Sequence, residues 1–293
     1  MSMFRIPGLL ILIHASGTII GQVYEMEVQK AGKAYEQKRY DSCSFYFSNA
    51  FKLKTSTGSD YYNAAVCNVL NNDRQQAFDL LFKAIRTGAN ISKLKIDPDF
   101  ESLHNVSKWR KLLRQANKIQ ADSFNTYQFP EYAARLATLW EEDQYFRFRL
   151  GKAYENNDTI LANELWKKMR SADTLILLKL QTIIEKIGWP TRTKVGSRGA
   201  STAFLIIDHS PREIMEKYFP YLEEAAKNGE ASLSNYATMK DRILVNRGKK
   251  QIYGTQKYWD DKQAKFVFFK IEDEKNVNKL RKEVGLEPLI EFN

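Results

Sequence analysis

The spacing of apolar and polar positions predicts a mainly helical chain. Through most of the sequence apolar residues recur at intervals of three and four, the period of an amphipathic α-helix. In the first part of the chain this period predicts two helix pairs, 25–38 with 40–53 and 61–70 with 73–87. The segment 55–60, rich in Ser, Thr, Gly and Asp, is expected to form the turn between the pairs.

The second part of the chain begins with long helices and ends in a different pattern. Helices are predicted at 130–156 and 157–187, and Gly188 is expected to end the second one. Near the C-terminus, 251–259 and 265–271 alternate between apolar and polar residues, which predicts two strands. The fold class is therefore mainly α, with a small β-hairpin in a mostly helical C-terminal domain.

Gly, Ser and Pro predict the connections. A linker is expected at 119–129, and a loop at 191–199 because that segment is rich in Gly, Ser and basic residues. This loop lacks the residue order of a phosphate-binding Walker motif. The apolar run 200–208 is predicted to be a helix that ends at His209, and Pro211 is expected to start the next one.

Residues of similar size recur at matching places in the two helix pairs. Cys43, Phe47 and Ala50 correspond to Ala77, Leu81 and Ala84, each 34 residues further along the chain. This is the tetratricopeptide period, and residues 25–118 resemble that family, with a cap beginning at Asp97-Pro98-Asp99. The resemblance implies a surface that binds a protein or peptide partner; a spacer role is the alternative for only two repeats.

The N-terminus has the pattern of an export signal. Arg5 supplies a positive charge before a short apolar core at 6–13, and cleavage is expected after Gly17 or Gly21. The apolar core is too short for a transmembrane helix, so stable membrane insertion is not expected. We therefore predict a signal peptide at 1–21 and an exported protein, periplasmic or secreted.

The net charge and the two cysteines exclude only a few classes of binding partner and metal site. The 293 residues carry a net charge of +10, but no basic–aromatic pattern indicates a nucleic-acid binder, so none is expected. Cys43 and Cys67 match no zinc spacing. Two readings of this pair stay open: a disulfide formed after export, or two small buried hydrophobic side chains.

The candidate chemistry lies in the second domain, where His209 is the sole histidine. Histidine is the usual acid–base group at neutral pH, and Asp143 or Asp241 is expected to orient it. Arg147 and Arg242 are candidates to hold a small anionic ligand. Further candidate ligand-binding residues are Gln144, Gln251, Tyr253, Thr255 and Gln256. No metal or cofactor is expected, because a single histidine lacks metal-ligand spacing.

Several motifs give residues 131–293 a family resemblance: DQYFR at 143–147, GWP at 188–190, the segment 195–210, and DRILV followed by GK, Q and YGTQ within 241–256. This part of the chain resembles an uncharacterised bacterial domain-of-unknown-function family, number 6624. The resemblance implies a mostly helical domain and no established activity. Members usually carry Ala after the helix histidine; Ser210-Pro211 here is expected to shorten or redirect that helix.

The sequence leaves two function classes to compare. The first is an exported protein-interaction or ligand-binding protein, in which the polar residues fix helix packing or hold a ligand. The alternative is a hydrolase-like enzyme that uses His209 with Asp143 or Asp241. Both readings predict that the polar motifs converge, with His209 near the centre and an arginine at the rim. An open site at His209 favours the enzyme.

Overall fold

The structure is a computed structural model that describes residues 8–290, with side chains from residue 19 onward. Within that range it contains twelve α-helices, one 3-10 helix and a two-stranded antiparallel sheet. The predicted fold class, mainly α with a small β-hairpin near the C-terminus, is confirmed. The chain divides into two compact units, Met1–Gln120 and Ala121–Asn293.

The first unit consists of helical hairpins followed by shorter elements. Helix α1 packs against α2, α2 against α3, and α3 against α4. Asp97 caps the 3-10 helix by accepting a hydrogen bond from the Asp99 backbone N–H, with Pro98 as the first residue. The bounds are α1 Gly8–Glu36, α2 Tyr40–Leu53, α3 Gly58–Leu70, α4 Arg74–Arg86, α5 Ile91–Ile96, the 3-10 helix Pro98–Leu103 and α6 Ser107–Phe124.

Small buried residues allow these helices to approach closely. Ala50 in α2 and Ala77 and Ala84 in α4 are fully buried, as is expected where paired helices meet. This packing is consistent with repeats. Cys43 and Cys67 form a disulfide that joins α2 to α3, so the disulfide reading of this pair is the one that the structure supports.

Two predicted boundaries in the first unit differ from the structure. Helix α1 begins at Gly8 rather than at residue 25, because no proline interrupts the apolar run that precedes the amphipathic part and the helix continues through Gly17 and Gly21. The predicted signal peptide thus overlaps α1, and its first seven residues lie outside the described residues. Helix α6 continues to Phe124, into the segment predicted to be a linker.

The second unit is built around α7, α8 and α9. Helix α7 packs against α8 and α9, and α10 packs against α11 and α9, enclosing a shared apolar core. Helix α10 begins directly after Pro211. The bounds are α7 Pro130–Glu155, α8 Thr159–Ile187, α9 Arg192–Asp208, α10 Arg212–Lys227, α11 Leu233–Asn246, β1 Lys257–Asp260, β2 Lys265–Phe268 and α12 Val277–Glu283.

The prediction of a loop at 191–199 was wrong, because α9 already begins at Arg192. The helix kinks at Gly196, which has φ +76°, and a Cβ there would lie 2.3 Å from the Tyr127 ring. The segment is held by tertiary hydrogen bonds: the carbonyls of Thr193 and Lys194 accept from backbone N–H groups of residues 128 and 129. Long-range packing therefore overrides the local preference of Gly and Ser for loops.

The predicted strands are shorter than expected. Strands β1 and β2 pair in the register Lys257↔Phe268 to Asp260↔Lys265, and Gln251 contributes only an isolated bridge to Ile271. The reason is that residues 252–256 turn around a buried carboxylate, described below, instead of extending. No helix within the described part of the chain is long and apolar enough to cross a membrane.

Candidate functional site

Two distant segments of the second unit bring a histidine and an aspartate together. Asp143 lies on α7 and is 2% exposed, while His209 is the C-cap residue of α9. The His209 Nδ1 atom is 3.1 Å from Asp143 Oδ1. The His209 side chain is 20% exposed, so the ring lies between a buried carboxylate and the surface.

Arg147 and Gln144 complete the surroundings of Asp143. Arg147 lies one helical turn after Asp143, with Nη1 3.2 Å from Asp143 Oδ1. Its Nη2 lies 2.9 Å from a carboxylate oxygen of Asp173 on α8. Gln144 Nε2 donates to Asp143 Oδ2 over 2.7 Å. Both oxygens of the buried carboxylate therefore have partners, and Arg147 is engaged by two aspartates.

A second buried carboxylate, Asp208, directly precedes His209. Arg242 Nη1 donates to the Asp208 carbonyl over 2.9 Å and lies 3.1 Å from its Oδ2. Oδ1 has no hydrogen-bond partner among the described residues. Burial raises the pKa of Asp208, and the charges of Arg242 and His209 oppose that rise. Burial likewise raises the pKa of Asp173, against the effect of Arg147.

Asp241, the other predicted partner of His209, has a different environment. Its carboxylate is fully buried and accepts hydrogen bonds from the turn at 252–255. The donors are the backbone N–H of Ile252 at 2.7 Å, of Tyr253 at 3.1 Å and of Thr255 at 3.0 Å, and the Thr255 hydroxyl at 3.0 Å. Asp241 thus closes a turn, and no hydrogen bond or ion pair of the described residues joins it to His209.

The same turn is held from its carbonyl side by an arginine. Arg281 Nη1 donates to the carbonyls of Tyr253 at 2.7 Å and Gly254 at 3.2 Å. Gln251 is fully buried, and its amide bonds the Gln256 backbone N–H and carbonyl. We name the arrangement of Asp241, Arg281, Gln251 and the turn at 252–256 the Asp241 cradle.

The predicted residues therefore form two clusters that meet at one arginine. His209, Asp143, Gln144 and Arg147 belong to the first, while Gln251, Tyr253, Thr255 and Gln256 belong to the cradle. Arg242 connects them, since its Nε donates to Gln256 Oε1 over 3.2 Å and its Nη1 contacts Asp208.

Sequence reasoning missed Asp173, Asp208 and Arg281. Asp208 had a detectable signal, since it is an acidic residue at the end of an apolar run and next to the histidine. Asp173 and Arg281 had none, because their roles depend on contacts 26 and 28 residues away in sequence.

The chemistry available at this site is proton transfer. A carboxylate bonded to Nδ1 fixes the orientation of an imidazole and leaves Nε2 to exchange a proton with a ligand. Nothing in the described part of the chain forms a hydrogen bond with His209 Nε2. Among the side chains that the structure describes, from residue 19 to 290, no group of three or more His, Cys, Asp or Glu is arranged to hold a metal ion.

Comparison with known proteins gives one match. Residues 130–293 match the model of a family of unknown function, DUF6624. No curated protein and no solved structure matches the chain.

Proposed function

Because the chain belongs to the DUF6624 family, which has no assigned function, we propose from the site alone that the second unit binds a small polar ligand and transfers protons to or from it, as a hydrolase does. The acid–base group is His209, and Asp143 is its orienting carboxylate. The observation that carries this proposal is the contact of 3.1 Å between His209 Nδ1 and buried Asp143, with no described residue bonded to Nε2 and the ring partly exposed.

The surroundings of the pair leave one ring nitrogen of the histidine accessible. His209 Nε2 is absent from the buried polar atoms that lack a partner, and the ring is partly exposed, so this atom can meet solvent or a ligand. Here one nitrogen is bonded to a carboxylate and the other is left for a ligand. Arg147 and Gln144 hold the Asp143 carboxylate in place, and the carboxylate in turn fixes the orientation of the His209 ring.

We infer for Arg147 and Arg242 a role other than the predicted binding of an anionic ligand. Arg147 pairs with Asp143 and Asp173, and Arg242 pairs with Asp208. Asp143, Asp173 and Asp208 face two guanidinium groups, so together these groups carry a net charge of −1 when all three carboxylates are ionised and His209 is neutral. The arginines therefore balance buried carboxylates, and the cluster favours a neutral or cationic ligand over an anion.

The test is a screen for hydrolysis with chromogenic esters and glycosides, which are uncharged as the site requires. Wild-type protein is compared with His209→Gln, Asp143→Asn and Glu142→Gln. Glu142 is the matched control, because it is an acidic residue on the same helix whose carboxylate pairs at the surface with Lys179.

We expect a turnover in wild type that His209→Gln abolishes and Asp143→Asn lowers by about 10²-fold or more. Glu142→Gln is expected to match wild type. The proposal fails if turnover survives in His209→Gln, or if no substrate class is turned over and NMR titration shows no ligand contact at the His209 ring.

A second proposal concerns the first unit: we infer that the chain is exported and that its hairpins are tetratricopeptide-like repeats that bind a protein or peptide. The Cys43–Cys67 disulfide supports export, because such bonds persist mainly in oxidising compartments. The fully buried alanines of α2 and α4 support the repeats. Mass spectrometry of the native protein should find a mature N-terminus after Gly17 or Gly21; an intact Met1 in the cytoplasm would contradict export.

A further inference from the structure

A cavity of about 410 Å³ on the second unit combines unpaired positive charge with aromatic walls. Its principal lining residues are Lys249, Lys250, Lys270, Tyr258, Phe268 and Phe269. We propose that this cavity, here called the lysine pocket, binds a small organic anion that carries a phosphate or carboxylate on a flat apolar ring. The pocket contains none of the residues assigned to proton transfer and goes beyond the function proposed above.

The charge of the lysine pocket is not neutralised from within. Lys249, Lys250 and Lys270 are exposed, and none of the three forms an ion pair with any described carboxylate. Arg147 and Arg242, in contrast, are each paired with a buried aspartate. Unlike Arg147 and Arg242, which the sequence indicated as candidates for anion binding, these three lysines have no ion-pair partner among the described carboxylates.

Aromatic rings supply the apolar part of the pocket. The rings of Tyr258 and Phe269 both line the pocket and lie 4.9 Å apart between centroids. The Phe268 ring contributes its edge and one face, since Lys257 Nζ covers the other face at 4.0 Å. Flat apolar walls bind ring systems by stacking and area burial, while lysines bind the charged group. Inorganic phosphate would use only half of this surface, which is why the pocket fits an anion with a ring attached.

One feature opposes anion binding and is too weak to prevent it. The pocket includes Val245 and Gly248, at the C-terminal end of α11, where the helix dipole presents roughly half a negative charge. The last carbonyls are already bonded, with Gly248 N–H donating to Val245 and Lys249 N–H to Leu244, both over 2.9 Å. Three full positive charges on the lysines outweigh this partial charge.

The shape of the site favours a small ligand over a membrane surface. A volume of about 410 Å³ falls in the range of about 300–1,000 Å³ typical of small-molecule sites. The hairpin also carries Trp259 and Phe266, which are 50% and 64% exposed. Exposed aromatic residues beside lysines are also found at membrane surfaces, so the experiment includes that outcome.

The experiment measures binding of phenyl phosphate to the full chain by isothermal titration calorimetry. Inorganic phosphate and phenol serve as comparison probes, since each carries one half of the proposed ligand. The test variant is Lys250→Gln with Lys270→Gln. The matched control is Lys262→Gln with Lys265→Gln, which removes the same charge from the exposed hairpin without altering the lining of the pocket.

We expect phenyl phosphate to bind more tightly than phosphate or phenol, and binding to weaken at least about tenfold in the pocket variant. The control variant should bind like wild type, and circular dichroism should show both variants folded. Equal weakening in both variants, or none in the pocket variant, overturns the proposal. The proposal is also overturned if phenyl phosphate does not bind and the protein instead binds phosphatidylglycerol vesicles in a way that Trp259→Ala abolishes.

Discussion

Asp143 and Asp241 are two almost completely buried aspartates in the same unit, and they differ in what their carboxylates bind. Asp241 accepts hydrogen bonds from three backbone N–H groups and one hydroxyl of the turn at 252–255. Asp143 instead contacts side chains, one of which is the partly exposed ring of His209. Burial is thus the same in both, while the donors differ.

The difference separates a structural carboxylate from one suited to a site. Backbone donors within one turn cannot leave without unfolding that turn, so Asp241 is expected to determine local stability. Side-chain donors that reach the surface can bind a ligand or change protonation while the backbone stays in place. The number of hydrogen bonds to a buried carboxylate therefore says less about its role than the type of donor. Side-chain donors can be replaced by a ligand, whereas backbone donors of a turn cannot.

The largest effect is expected from Asp241→Ala. The substitution leaves three backbone donors and one hydroxyl without their acceptor, and each buried unsatisfied group costs about 1–3 kcal/mol. After partial relaxation of the turn, we expect a loss of about 4 kcal/mol in the free energy of unfolding, measured by urea denaturation.

The control for this prediction is Glu213→Ala. The Glu213 side chain is 72% exposed, and a surface substitution of this kind usually changes stability by less than about 0.5 kcal/mol. A loss below about 1 kcal/mol in Asp241→Ala would show that the cradle is not a structural device, and the contrast between the two aspartates would disappear.

The sequence shows how far such a contrast can be anticipated. Helix α2 has the predicted bounds, Tyr40–Leu53, because its apolar period and its flanking turns are local signals. The segment 191–199 was predicted wrongly, because it is bonded to the backbone of residues 128 and 129 and kinks at Gly196 beside the Tyr127 ring, and no local pattern encodes these contacts.

The candidate site was predictable in its residue types and not in its pairing. The sequence indicated that polar motifs beside apolar stripes would meet, and His209 does lie against Asp143. The sequence could not show which aspartate, Asp143 or Asp241, contacts His209. Asp143 meets His209 through the packing of helices that are 66 residues apart in sequence. Asp241 is instead bonded to a turn that follows it by 11–14 residues. Asp173 enters only through the packing of α8 on α7.

Smaller losses of stability are expected when either member of the His209–Asp143 pair is replaced by alanine. Asp143→Ala removes the acceptor of His209, Arg147 and Gln144, and should cost about 2 kcal/mol. His209→Ala should cost about 1 kcal/mol or less, because the ring is partly exposed and Asp143 keeps two other partners.

Urea denaturation of both variants measures this ratio. A purely structural role for His209 predicts the reverse result, a loss of about 1–3 kcal/mol in His209→Ala through its unpaired neighbours. Loss of turnover together with nearly intact stability in His209→Ala is the combination that a site requires.

The smallest effect concerns Asp208, whose Oδ1 has no hydrogen-bond partner among the described residues. Burial raises the pKa of this carboxyl above its ordinary value of 3.8, although Arg242 and His209 oppose the rise. The folded state therefore binds the proton more tightly than the unfolded state. Ionisation of Asp208 thus destabilises the fold at neutral pH, and this penalty fades as the pH falls through the raised pKa.

Asp208→Asn cannot ionise. The free energy of unfolding of this variant relative to wild type should therefore be highest near pH 7 and decrease as the pH is lowered towards 3.8. Urea denaturation of both proteins at several pH values measures this difference. A difference that is constant with pH, or that grows on acidification, would mean that Arg242 fully compensates the buried charge and that Asp208 belongs with Asp241 rather than with Asp143.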